Sequence, residues 1–335
     1  MSSDSKSFPL LFLPAVAAEH LIRTMEVSEM FILSLTSTRA RALLNYCLPK
    51  NYAHICCSFF GHKTFDIQFF PGRTRANFMR LFLEQEQYHV SRTGGCNSYK
   101  IHDIQCKLFL SRNNPMKVIS EKPFEDVAQA LLTHLAESFH TPKISIEFGS
   151  VMAPGAALRF LNYAKSLNLS VEKLMLGTTN TPAEVYRAFS NEGPNAKELV
   201  IVSDATPDFQ YSPSEVFKLD KFHVCDGHWV HLQDFMECRS IVVLNITAKP
   251  NMYCMNAKRL NEFFKAWQRS SCRLESLKLW ERRSHGLDFE KVIMGLNGTT
   301  FVTTDGIQSV DIEREDGRKS VITLTRRFLK LEKIN

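Results

Sequence analysis

Much of the chemistry that a chain of 335 residues can advertise is missing here. There is no Walker-type loop, no glycine-rich dinucleotide turn, no nucleophile elbow and no H-E-x-x-H pair, so the usual marks of phosphate cradles, hydrolase elbows and zincin helices are absent. Nine cysteines are scattered, an odd number with no C-x-x-C spacing. That usage predicts reduced thiols in a cytoplasmic or nuclear protein, not a disulfide framework. No apolar run approaches the length that crosses a bilayer. The opening MSSDSKSFPL has no basic region leading into an uninterrupted apolar core, so no secretory leader is expected. The Asn-x-Ser/Thr triplets at Asn168, Asn245 and Asn297 carry no weight in such a chain. A net charge of +6 is mild, and no basic stripe forms before the last twenty residues, so nucleic acid is not an expected partner. Neither a cofactor nor a membrane surface is expected.

What is present is an ordinary globular composition, 44% apolar and 23% charged. The length is enough for one large or two medium domains with real cores. The stretch 8–48 stands out. Leu21, Ile22 and Met25 recur at helical spacing, and a second apolar run, Met30, Ile32, Leu33 and Leu35, follows after a four-residue link. Ser28 is placed to cap that second helix, with Glu29 suiting the positive end of its dipole. A third helical start falls at Ser37-Thr38. Three short helices bury too little surface to stand alone, so this head needs either the rest of the chain or a partner.

Leu13-Pro14, a helix, an acidic link, a second helix reading MFILSL and a Ser-x-Arg-x-Arg helix together resemble an F-box. With Phe8-Pro9-Leu10-Leu11 ahead of Leu-Pro, the stretch is similar to the large nematode F-box family. The sequence departs from that pattern in two places: Ala15 or Val16 replaces the acidic residue common after Leu-Pro, and Glu26-Val27 replaces Asp-Pro. The resemblance implies docking on a Skp-type adaptor of a cullin-based (SCF) ubiquitin ligase. The residues entering the adaptor's apolar groove would be Leu13, Pro14, Leu21, Ile22, Met25, Met30, Leu33 and Leu35. The alternative is a helical subdomain packed on the body of the same protein.

Beyond Pro49 the pattern shifts to period two. Ile55, Cys57 and Phe59, then Phe65, Ile67 and Phe69, read as a hairpin around Gly61-His62-Lys63, and Ile104 to Leu110 alternates again. Asn77 to Val90 fits helix or strand equally. The segment 49–120 is expected to be a strand-rich connecting element. From 121 to 335, helices and strands alternate, beginning with a helix over Phe124–Phe139, which predicts an α/β body.

The strands of that body share one spacing. Val171-x-x-Leu174-x-Leu176 matches Ala196-x-x-Leu199-x-Ile201, Leu219-x-x-Phe222-x-Val224, Cys238-x-x-Ile241-x-Val243 and Leu274-x-x-Leu277-x-Leu279. Steps of roughly 19 to 36 residues bracket the leucine-rich-repeat range. The expected fold is therefore mixed α/β: a three-helix head, a strand-rich element, and an irregular leucine-rich-repeat-like solenoid closed by a C-terminal β-hairpin. The repeat-closing Asn is replaced throughout, by Thr179, Asp204, Gly227, Ile246 and Arg282. Leu260 to Trp280, LNEFFKAWQRSSCRLESLKLW, also resembles the F-box-associated domain, type 2, which follows the F-box in the nematode family. A closed α/β domain with chance leucine spacing is the other reading. The basic end, Arg326 to Lys333, reads as a solvated amphipathic tail.

Two clusters are candidates for function. Residues alternating with the inward positions would form one open face, and Lys221, His223, Lys278 and Trp280 on it combine cations and aromatics, the types that anchor partners; Trp280 packed under a neighbouring loop is the alternative. Separately, His223, Cys225, Asp226, His228, His231 and Cys238 are ligand types for zinc, but their spacing fits no closed tetrahedral pattern. An ordinary strand–turn–helix joint competes with a metal-dependent hydrolase there. The expectation is a non-catalytic receptor: adaptor on the head, an unidentified target protein on the body, no metal.

Overall fold

The computed structural model describes residues 12–50, 53–60, 63–69, 78–85, 96–109, 116–140, 143–245, 256–281, 287–302, 307–325 and 327–334. Phe8 to Leu11, the expected turns at Gly61-His62 and Pro71-Gly72, and the positions of Ile246 and Arg282 lie outside them. The chain is mixed α/β and divides into two compact units, one comprising 1–151 and 159–171, the other 152–158 and 172–335.

The first unit opens with α1 (Ala15–Thr24), α2 (Val27–Thr36) and α3 (Thr38–Cys47). The cap of α2 differs from expectation. Glu26 occupies the N-cap, its carboxylate takes the amide of Glu29, and the Glu29 side chain returns to the Glu26 amide at 2.9 Å. Two carboxylates at the positive end of the dipole do the work expected of Ser28, and Ser28 falls inside the first turn. Ser37 caps α3 as the sequence implied, accepting the amide of Ala40 at 3.1 Å.

Six strands follow within 49–120: β1 (Ala53–Phe59), β2 (Lys63–Phe69), β3 (Phe78–Gln85), β4 (Cys96–Ile101), β5 (Ile104–Phe109) and β6 (Met116–Ser120). Then come α4 (Phe124–Phe139), β7 (Lys143–Phe148) and α5 (Pro154–Ser166). Among the described residues the strand order of this unit is β7-β1-β2-β3-β6-β5-β4. The β1–β2 hairpin pairs Cys57 with Phe65, and β7 joins β1 in parallel with Ile146 opposite Cys57. Within the undecided stretch from Asn77 to Val90, the described residues 78–85 form β3, with Met79, Leu81 and Leu83 alternating into the core; the rest lies outside the described residues. Helix α2 lies against β2, β3 and β4, and α4 against β3 and β4. So the segments expected as head and connecting element share one core with α4. Phe59 is at its centre, within 4.9–6.0 Å of the Phe65, Phe124, Phe148 and Phe160 rings.

The second unit carries five strands in chain order: β8 (Ser170–Leu176), β9 (Glu198–Ile201), β10 (Lys221–Val224), β11 (Ser240–Asn245) and β12 (Ser276–Glu281). All pair in parallel with their sequence neighbours. The register aligns Leu174, Leu199, Phe222, Ile241 and Leu277 in one buried row and Leu176, Ile201, Val224, Val243 and Leu279 in the next. Connections between them vary. Helices α6 (Ala183–Asn191) and α7 (Ala257–Arg269) follow β8 and β11, whereas β9 is followed by an irregular segment and β10 only by a 3-10 turn at Leu232–Phe235. Gly227 permits the β10 turn, since a Cβ there would collide with the Val243 side chain.

Beyond β12, α8 (Phe289–Ile293) leads to β13 (Gly298–Val302), β14 (Gln308–Glu313), β15 (Lys319–Leu324) and β16 (Phe328–Lys333). The expected hairpin exists, turning at Gly317 with φ +83, but it belongs to a larger antiparallel set. Of the segment read as a solvated tail, Phe328–Lys333 form β16, inserted between β12 and β15, with Leu329 and Leu331 fully buried. Their alternation with Lys330 and Glu332 is a half-buried strand's pattern. No described helix is long and apolar enough to cross a membrane.

Candidate partner-binding surfaces

The head is tied to α4 by polar contacts. Arg41 Nη1 donates to Glu137 at 2.8 Å, the Asn45 amide donates to the Glu137 carbonyl, and the His140 ring lies 2.7 Å from the Asn45 carbonyl. Deeper in, Ser34 Oγ and His134 Nε2 approach to 2.7 Å. Phe12, Val16 and Tyr46 are 84%, 80% and 73% exposed, unusual for large apolar side chains. Of the eight residues assigned to adaptor binding, Pro14 is exposed and Leu13, Leu21, Met25, Leu33 and Leu35 are half-buried. Ile22 and Met30 are interior, where they support the surface and touch nothing outside. Sequence reasoning missed Phe12, Val16 and Tyr46, because single apolar residues at a helix start or end show no period.

In the second unit, Lys221, His223, Lys278 and Trp280 occupy the face opposite the buried rows. His223 and Lys278 share one register row, with Val242 between them, so about two strand spacings, roughly 10 Å, separate their backbones. Lys221 and Lys278 are exposed, while His223 and Trp280 are half-buried. Trp280 sits opposite Phe328 of β16, and Lys278 Nζ lies 5.4 Å from the Phe328 ring centre. Burial, with Lys221 nearby, holds the His223 imidazole below its usual value and therefore neutral at pH 7. The four residues form a discontinuous cationic–aromatic surface, with half-buried Val242 and Leu244 between its halves.

The histidine-rich joint does not assemble as a ligand set. Asp226 Oδ1 holds His228 Nδ1 at 2.8 Å and its Oδ2 accepts the Ala205 amide at 3.3 Å. His223 pairs only loosely with Cys225, 3.9 Å apart. Among the described residues no three His, Cys, Asp or Glu side chains converge on one point. Burial pushes the thiols of Cys106 and Cys238 up to about 11 and about 12, which keeps them protonated and poorly nucleophilic. Compared with known proteins, the chain matches no family model, no curated protein and no solved structure.

Proposed function

We propose that this chain is a non-catalytic target-recognition subunit of an SCF-type cullin ubiquitin ligase, with the head docking on a Skp-type adaptor. The observation that carries the reading is the exposure of three large apolar side chains on the head, Phe12, Val16 and Tyr46, while helices α2 and α3 pack on the strands and on α4. Leu13, Pro14, Leu21 and Met25, in and beside α1, also keep part of their side chains exposed. Removing such anchors typically costs about 2 kcal/mol or more of binding. Adaptor retained by the purified full-length chain, and lost at least tenfold in Phe12→Asp/Val16→Asp with its melting temperature unchanged, is the expected result. A wild-type chain that retains no adaptor would sink the reading.

For the second unit we propose an irregular leucine-rich-repeat-like solenoid, capped by the antiparallel strands β13 to β16. What supports it is the chain-order parallel pairing and the two continuous buried rows. Stacked repeats bury such rows against each other and free the alternate positions for binding. The target would dock around Lys221, His223, Lys278 and Trp280, bringing its lysines near a conjugating enzyme held by the same ligase. Charge reversal of Lys221 and Lys278 combined with Trp280→Ala is expected to abolish target capture while adaptor capture persists. Unchanged capture would place the recognition face elsewhere.

A second reading has its own observation. The Arg41–Glu137, Asn45–Glu137 and Ser34–His134 contacts make the head an integral wall of the first unit, as suits a protein-interaction scaffold that recruits no ligase. On that reading the adaptor is never retained.

A further inference from the structure

At the carboxyl ends of β8 and β9 the second unit holds an open cavity of about 680 Å³. One wall is the loop Gly177–Pro182, the other is Val202–Thr206. The cavity lies where the loops after two neighbouring parallel strands diverge, and its volume is of ligand-pocket size. The inner wall is braced by its own hydrogen bonds. Thr178 and Thr181 hydroxyls meet at 2.8 Å, and Ser203 Oγ donates to the Thr178 carbonyl at 2.8 Å. Behind it, Asp226 fixes the Ala205 amide. Asn180 turns the loop in the left-handed region, φ +50, which an asparagine tolerates.

The lining chemistry is one-sided. Beside the hydroxyls and the Asn180 amide stands one charge, the exposed carboxylate of Asp204, and no cation lines the cavity. Among the described residues no lysine, arginine or histidine pairs with Asp204. The nearby Arg187 is turned to the Phe209 ring, 5.7 Å away. Asp208, hydrogen-bonded to Thr206, adds a second carboxylate beyond the rim. An anion would gain from the N-terminus of α6, which begins at the same loop, but Glu184 in its first turn already supplies a negative group.

We propose that this cavity binds an alkylammonium or guanidinium group, with Asp204 as counter-ion and the exposed Thr179 and Thr206 hydroxyls and Asn180 oxygen as further acceptors. The site is built from residues of the second unit alone and shares none with the head, so it holds or fails independently of ligase recruitment. Free polyamines and the lysine or arginine side chains of a protein present the same chemistry, and the probes separate them.

The test is a titration of the full-length chain, methyl-labelled at Thr and Ala. The probes are Nα-acetyl-lysine amide, Nα-acetyl-arginine amide, spermidine, neutral Nα-acetyl-methionine amide and O-phosphoserine. The cations are expected to shift the methyl signals of Thr179, Ala205 and Thr206 saturably, with Kd on the order of 1 mM. Loss of one charge-assisted contact in Asp204→Asn should weaken them roughly tenfold or more, with Asp204→Glu recovering part. Tighter binding of the capped amino acids than of spermidine assigns the site to a protein side chain, and the reverse order to a polyamine. No saturation at tenfold higher concentration overturns the proposal. So does equal binding by Asp204→Asn, or shifts from phosphoserine alone.

Discussion

Trp229→Ala is expected to destabilise the second unit by about 3–5 kcal/mol, the range for emptying a large aromatic site. Trp229 is fully buried and is the hub of an aromatic cluster. Its ring lies 5.6–5.7 Å from those of Tyr186, Phe209 and Tyr211, and 6.3–6.4 Å from Phe222 and Phe235, almost all edge to face. Such pairs add to area burial because a ring's positive edge meets the neighbour's negative face. The indole Nε1 also donates to the Tyr186 hydroxyl at 3.2 Å. Truncation therefore removes five ring contacts and leaves that buried hydroxyl without its donor. Urea unfolding followed by tryptophan fluorescence reads the effect cleanly, because the remaining tryptophans, Trp267 and Trp280, lie in the same unit. The melting temperature should fall by on the order of 10 °C. A change below about 1 kcal/mol would mean that the cluster does not hold this unit together.

The cluster also explains why β9 and β10 manage without a helix between them. Phe209, Tyr211 and Phe217 from the irregular 202–220 segment fill the space that a helix would cover, and all three are buried. Nothing in a 3.6 period announces such a segment, so the expectation of alternating helix and strand failed there. The five strands themselves were legible because each carries its two inward residues at one spacing, and burial on a shared row enforces that spacing. Strand β16 was misread for the opposite reason. Leu329 and Leu331 alternate plainly with Lys330 and Glu332, but the strand's neighbours, β12 and β15, are named only by the fold. The cavity loops likewise meet from positions some 25 residues apart, and hydroxyl-rich loops look alike in sequence whether or not they face each other. On the head, helix periods were visible, whereas its attachment to α4 rests on single polar residues about one hundred positions away.

That attachment carries the other large effect. Ser34 Oγ gives its only hydrogen to the Phe31 carbonyl at 2.6 Å. Its contact with His134 at 2.7 Å therefore requires Nε2–H of the imidazole to donate. Nδ1 is then a bare acceptor, buried and without a partner. A second proton there would find no acceptor, and burial foremost, then Arg41 and His102, lowers the His134 value to about 3. An unfolded chain returns it to its ordinary 6.5. The folded value is the depressed one, so the neutral ring favours folding above pH 6.5. That advantage is lost as the pH falls toward 3, because the unfolded state binds the proton first. At 1.36 kcal/mol per pH unit, moving from pH 7 to pH 5 should cost the first unit about 2 kcal/mol through His134 alone. His134→Gln, which keeps a donor for Ser34, is expected to start from a lower stability at pH 7 and to lose about 2 kcal/mol less between those pH values. Parallel pH profiles for the two chains, measured by urea midpoints, would show that His134 is not the group that makes the head's seat sensitive to acid.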